Sequence, residues 1–292
     1  AAVRYKRGSG LVAPPPATPA ECEGAERLHV VVDGAPECIA FYAAGRPGGA
    51  RSAVIFLDGD LPVSYQRSAS LQREYLKRIR EVLEVLSRRT SSSVPFILLA
   101  RPGTFGSTGD HSQRRTFREV DVLNAAIDRL KSRLGMSEVV LAGQSGGATS
   151  LAGLLIRGRK DILCALAGSG AYDYFGALEA WTERSGDEPM TADKFVAYRD
   201  RFHAMDGVDR IPRDPRRRIF IVGDPKDQVT PFRFQEAFQR RVAAAGHHAV
   251  LVPALGSGED RHGVTVTVLR MAGLCADGAS DQEIRRLATP PS

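Results

Sequence analysis

The sequence predicts an α/β fold: a mainly parallel sheet with helices on both faces and an antiparallel hairpin at one edge. Two patterns carry that expectation. From residue 53 onward, short apolar runs of strand length alternate with longer stretches of helical periodicity, which is how βαβ units read. Ahead of them, two apolar runs are separated by Asp33-Gly34, a tight-hairpin signal. Bulk properties agree. Of 292 residues, 43% are apolar and 25% charged, which suits a globular chain and excludes wholesale disorder, collagen or a disulfide-dense miniprotein.

In chain order, residues 1–25 carry Pro14-Pro15-Pro16 and Pro19 with little periodicity, and read as an extended arm before one domain over 26–292. Residues 28–32 and 38–43 are the hairpin strands, and 53–57 is a third strand stopped by Asp58-Gly59. Residues 66–89 form an amphipathic helix, with Leu71, Tyr75, Ile79, Val82, Leu83 and Leu86 at helical spacing. A strand over 94–100 is closed by Arg101-Pro102-Gly103, and a helix over 117–134 aligns Val120, Leu123, Ile127, Leu130 and Leu134. Residues 139–142 are a strand, followed by a Gly-rich turn and an apolar helix to about residue 158. Strands at 162–167, 218–222 and around Val250 and Val252 follow, with a helix over 231–246 before the last. Residues 264–274 are the final helix, although their Val and Thr content also suits a strand. The polar stretch 172–217, which holds Trp181, is too long for a connection and reads as a mostly helical lid insertion above the sheet.

Charge and cysteines bound the partners and the compartment. Forty Lys+Arg against 34 Asp+Glu give +6, spread along the chain. The densest cluster, Arg216-Arg217-Arg218, flanks a strand, so nucleic acid is not an expected partner. The longest uncharged stretch, 139–156, is broken by Gly143, Gln144, Ser145, Gly146 and Gly147, so no membrane span is expected. The sequence starts Ala-Ala without Met, which reads as a chain from which residues have been removed, and no signal peptide is legible. Cys22, Cys38, Cys164 and Cys275 show neither CxxC nor metal-ligand spacing. No metal is expected. They are disulfide candidates for a secreted or periplasmic protein, with Cys22–Cys38 the favoured pair because it closes a short loop around the first strand. The competing reading is four reduced thiols in the cytoplasm.

The chemistry centres on Gly143-Gln144-Ser145-Gly146-Gly147, set between an apolar strand and a small-residue helix. That setting lifts a serine hydroxyl on a strained turn, where flanking β-carbons would clash, and aims the helix N-terminus at the same place. A nucleophilic serine needs a base and an orienting carboxylate. Asp224 and Asp227 lie in the loop after the 218–222 strand, and His262 follows the last strand in Glu259-Asp260-Arg261-His262-Gly263.

With Ser, Asp and His in that order, the chain from about residue 28 resembles the α/β-hydrolase superfamily. The Asp-x-Val-Thr-Pro run (Asp227 to Pro231) and the His-Gly loop resemble its serine-esterase, prolyl-oligopeptidase-like and tripeptidyl-aminopeptidase-like branches. The resemblance implies an eight-stranded, mostly parallel sheet and no cofactor. It puts Ser145 at the nucleophile, Asp227 at the acid with Asp224 as its rival, His262 at the base, and the N–H groups of Gly146 and Asp60 at the oxyanion. In one respect the chain departs from the family. The loop after the third strand, often His-Gly-x, reads Asp58-Gly59-Asp60, placing two carboxylates where negative charge develops unless Arg101 or His111 pairs with them. Gln144, Asp58, Gly59, Arg101, Phe105, His111 and Tyr172 are pocket candidates, and the loop from Arg101 to Asp110 is either pocket wall or structural turn. His29, His203, His247 and His248 read as packing or surface residues. The expected substrate is a small carboxylic ester, since the chain lacks the propeller of the larger oligopeptidases. A short peptide is the alternative, for which Glu179, Glu183, Asp187 and Glu188 of the insertion are candidates to hold a free amino group. A non-catalytic binding protein on the same fold is the second alternative. Oligomeric state is not legible.

Overall fold

The structure, a computed structural model, describes residues 4–5, 11–12, 18–22, 24–45, 50–91, 94–185 and 200–288. Eight strands form the main sheet: β1 (Arg27–Val32), β2 (Ala35–Ala44), β3 (Ser52–Leu57), β4 (Phe96–Leu99), β5 (Glu138–Gln144), β6 (Ile162–Gly168), β7 (Arg218–Gly223) and β8 (His248–Pro253). Their order is β8-β7-β6-β5-β3-β4-β2-β1. β1 runs antiparallel to β2 and β2 to β4, and every other neighbouring pair is parallel. Asp33 and Gly34 turn the hairpin with φ of 50° and 75°, the two left-handed residues a two-residue turn requires. Arg4–Tyr5 pairs with Leu11–Val12 as a separate two-residue ladder, and Pro14-Pro15-Pro16 of the expected arm lie outside the described residues.

Seven helices matter here: α1 (Ala69–Ser87), α2 (Phe117–Leu134), α3 (Gly146–Ile156), α4 (Tyr174–Ser185), α5 (Phe232–Ala244), α6 (Thr265–Ala276) and α7 (Asp281–Arg286). Alternate strand residues feed two cores. Ile55, Leu57, Val139 and Leu141 pack with α2, α3 and α5, while Val54, Phe56, Val140 and Ala142 pack with α1 and α6. The 264–274 stretch is a helix because Val264, Val268, Met271, Ala272 and Cys275 repeat at helical spacing against that second core. α7 was not expected from the sequence, yet its Ser280/Glu283 capping box is a start signal. Within the 172–217 insertion, residues 186–199, including Asp187 and Glu188, lie outside the described residues. The flanks hold α4 and a single turn over Ala204–Gly207. Among the described residues, no helix is long and apolar enough to cross a membrane.

Arg216-Arg217-Arg218 flanks β7 as expected. Arg217 is buried and donates to the carbonyls of Ile162, Pro212 and Arg159, and Arg218 reaches Asp281 and the Ala279 carbonyl. Both expected cysteine outcomes are resolved in favour of pairing. Cys22 bonds Cys38 across β1, and Cys164 of β6 bonds Cys275 of α6. Their sequence separations of 16 and 111 residues differ in the chain entropy they remove from the unfolded state. Intact mass should therefore read four hydrogens below the fully reduced chain. Urea unfolding should show about 3 kcal/mol lost in Cys22→Ser/Cys38→Ser and about 4–5 in Cys164→Ser/Cys275→Ser. Equal losses would show that loop length is not what these bonds contribute.

Candidate active site

Ser145 sits between the end of β5 and the start of α3 at φ 52°, ψ −119°, a conformation ordinary L-residues avoid. The surroundings impose it. A β-carbon on Gly143 would lie 2.7 Å from Ala148 N, and one on Gly147 would lie 2.5 Å from Asp58 O while overlapping Leu57 O. The Ser145 N–H donates to Gly168 O at 2.7 Å, fixing the turn to β6. All of α3 is buried, and Gly146 is its first residue, where backbone N–H groups lack intrahelical acceptors.

His262 and Asp227, far apart in sequence, are brought into contact. His262 Nδ1 lies 2.9 Å from Asp227 Oδ2 and 3.2 Å from Oδ1. The Asp227 carboxylate also accepts from Val229 N–H at 2.8 Å, Thr230 N–H at 3.0 Å and Thr230 Oγ1 at 3.0 Å. Asp224, the rival acid, is turned to another task. It accepts from Lys226 N–H, Gly256 N–H and Arg261 Nε, tying the β7 loop to the His262 loop. Burial would raise its carboxyl, but those three donors hold it below the ordinary value. Gln144 is likewise no wall of a pocket. Its amide donates to His262 O and accepts from Val264 N–H, both at 3.0 Å, clamping the histidine loop from the residue next to Ser145.

The loop after β3 passes against Ser145: a β-carbon on Gly59 would lie 3.4 Å from Ser145 Cβ. The Asp60 carboxylate is paired, as its position requires. Arg101 Nη1 meets Oδ1 at 2.8 Å, and Arg114 and Arg115 meet Oδ2. Burial works against its charge, but Arg115, Arg101 and Arg114 hold it well below the usual carboxylate range. His111 pairs with neither carboxylate. Its Nε2 accepts from Leu61 N–H at 3.4 Å, and burial together with the nearby Arg101 charge pulls the imidazole down to about 4. Burial pushes Asp58 up to about 6, against the Gly59 N–H and the Tyr75 hydroxyl, 3.5 Å from Oδ1.

Other expectations are corrected. Tyr172 is core: it stacks on Phe238 at 4.1 Å and donates to Ala167 O. Phe105 packs on Tyr75 and lines a cavity of about 390 Å³ with Tyr42, Gln72 and Leu76, to which none of Ser145, Asp227 and His262 contributes. The loop after β4 is mainly a structural turn, its Ser107 and Thr108 hydroxyls accepting from Ala40 and Cys38 N–H. The sequence reading missed Thr230, Arg114, Arg115 and Glu119. Thr116-Phe117-Arg118-Glu119 carries the capping-box spacing that flags Glu119, but its carboxylate turns inward to Arg101. Among the described residues, no three His, Cys, Asp or Glu side chains converge to hold a metal.

No protein-family model matches the chain, and no curated protein matches it by sequence. Solved structures do. An esterase from Pyrococcus furiosus is similar over 85% of this chain and 87% of its own, at 16% identity and a TM-score of 0.54. Est1E from Butyrivibrio proteoclasticus, solved with ferulic acid, is similar over 86% and 96%, at 14% identity and 0.55. A puromycin-hydrolysing peptidase from Mycobacterium tuberculosis is similar over 87% of this chain but 40% of its own, at 15% identity and 0.52. The chain thus has the α/β-hydrolase fold, and spans less than half of that peptidase.

Asp58 and His111 titrate in overlapping windows with opposite effect. Asp58 holds its proton more tightly folded than unfolded, so its contribution is full below about pH 4 and is lost as pH rises through 6. His111 is harder to protonate when folded, so its contribution is full above about 6.5 and is lost as pH falls through 4. Asp58→Asn should therefore match the parent protein at pH 4 and exceed its stability at pH 7 by roughly 3 kcal/mol in urea unfolding. A difference that does not change with pH would refute the raised Asp58 carboxyl.

Proposed function

We propose that the protein is a serine hydrolase that cleaves carboxylic esters by acyl transfer. The observation that carries this reading is the strained Ser145 turn at the N-terminus of α3, together with a His262–Asp227 pair whose loop is clamped by Gln144, the residue before Ser145. His262 Nε2 takes the Ser145 proton as Oγ attacks the ester carbonyl. Asp227 keeps the proton on Nδ1 and stabilises the imidazolium. The Gly146 and Asp60 N–H groups receive the oxyanion. Collapse of the tetrahedral adduct breaks the ester C–O bond, with His262 returning the proton to the leaving alcohol. Water activated by His262 then releases the acid and frees Ser145.

Similarity to the Pyrococcus esterase and Est1E over most of both chains supports an ester over an amide. The peptidase alternative rests on the likeness to the puromycin-hydrolysing enzyme, of which this chain covers the smaller part. In this reading the described flanks of the 172–217 insertion, α4 and the Ala204–Gly207 turn, belong to a lid, and two disulfides suit a secreted or periplasmic protein.

A fluorophosphonate probe should label Ser145, found by peptide mass mapping, with labelling lost in Ser145→Ala and His262→Ala. On a short-chain p-nitrophenyl ester, Asp227→Asn should lower kcat by about 10³–10⁴. Asp224→Asn, which only loosens the histidine loop, should lower it by about tenfold. Well-folded protein that neither labels nor turns over would put the non-catalytic binding reading first, and faster cleavage of aminoacyl anilides than of acyl esters would favour the peptidase.

A further inference from the structure

The two N–H groups assigned to the oxyanion belong to different segments, Asp60 in the loop after β3 and Gly146 at the start of α3. One buried chain of polar contacts runs between those segments. Asp60 Oδ1 lies 2.8 Å from Arg101 Nη1, and Arg101 Nε lies 2.7 Å from Glu119 Oε1. Glu119 Oε2 is 3.3 Å from Ser150 Oγ, which in turn is 3.0 Å from Gly146 O. Arg101 also donates to the Asp58 carbonyl at 3.2 Å, and Glu119 accepts the Arg115 N–H at 2.6 Å. The side chains of Arg101 and Glu119 are 1% and 3% exposed, so neither can change partners through solvent. A β-carbon on Gly146 would lie 2.8 Å from Arg101 Nη1 and would overlap Asp60 Oδ1, so the carboxylate and guanidinium pack directly on the helix's first residue.

We propose that Arg101 and Glu119 are positioning residues that hold the Asp60 and Gly146 N–H groups at a fixed mutual distance, and that Asp60 is present in the oxyanion loop as the handle that Arg101 grips. The proposal rests on the serine-hydrolase reading above. Its physical logic is that preorganised donors stabilise developing charge only if their separation is already correct. A planar guanidinium can grip a carboxylate on one edge and another on the next, which an ammonium cannot. Arg101, Arg114 and Arg115 also match Asp58, Asp60 and Glu119 in number, so the carboxylate handle adds no unbalanced negative charge beside an oxyanion.

The test compares Arg101→Lys and Asp60→Asn with the parent protein on a short-chain p-nitrophenyl ester. A trifluoromethyl ketone that forms a tetrahedral adduct with the serine serves as a second probe. Both variants should lose roughly 10- to 100-fold in kcat, with KM within about threefold. Affinity for the ketone should fall by the same factor as kcat/KM, a correlation that a merely structural role would not produce. The double variant should lose less than the product of the two single losses, since both break one contact. Asp60→Asn keeps the side chain's shape, and so keeps the test decisive if Arg101→Lys does not fold. Unchanged or increased kcat in Asp60→Asn, with the parent protein active, would overturn the clamp and leave the hydrolase reading intact. A parent protein with no Ser145-dependent turnover would overturn both.

Discussion

Close approach of α3 to the end of β3 is the constraint on which the rest depends. Gly147 meets the Leu57 and Asp58 carbonyls with no room for a side chain, and Gly143 meets the backbone of Gly147 and Ala148. The chain cannot leave β5 and enter α3 by a relaxed path, so Ser145 takes up a left-handed conformation. The same approach brings the loop carrying Asp58, Gly59 and Asp60 against the serine. The seryl hydroxyl, the helix N-terminus and the β3 loop are thus placed together by one steric condition. The acid and base loops are then tied to it by hydrogen bonds, through Gln144 to His262 and Val264 and through Asp224 to Gly256 and Arg261.

Arginine far outnumbers lysine in this chain, and the structure gives a reason that has nothing to do with an acidic partner. Arg101, Arg159 and Arg217 are buried, and each serves several acceptors at once. Arg159 reaches Asn124, Asp128 and Asp161, while Arg217 takes three carbonyls where the chain enters β7. A forked, weakly hydrated cation can be buried among carbonyls and carboxylates in a way that an ammonium on a flexible stem cannot. Part of the arginine content therefore serves internal joinery.

How much of this was legible in the sequence depends on the range of the interaction. Elements with strong periodicity were legible to within a few residues: α2 occupies the expected 117–134, while α1, expected over 66–89, spans Ala69–Ser87. The strained turn was legible because it demands the small residues of the Gly143 to Gly147 run, whereas Asp227 and His262 are singled out through the family resemblance, and the structure brings those two side chains together. Tyr172, Phe105 and Gln144 read as pocket candidates, and Asp224 as the alternative acid, on the assumption that their side chains face the site. Each instead satisfies a backbone group or fills a core, and that choice is set by packing between distant segments. Glu119 was invisible for the same reason. Its spacing marks a helix start, while its partner Arg101 lies 18 residues away in sequence across a strand end.

The bond between Cys164 and Cys275 encloses β7, Asp227 and His262 and leaves Ser145 outside. A single peptide-bond cut between Cys164 and Asp227 would divide the proposed catalytic set, with the serine on one piece and the acid and base on the other. The pieces would stay one covalent molecule until the disulfide was reduced. The sheet and the two packed cores would still hold the halves in register, so nicking alone need not separate nucleophile from base. In a protease-rich environment, survival of the site then depends on thiol chemistry at a bond between β6 and α6, some way along the chain from every residue of the proposed triad.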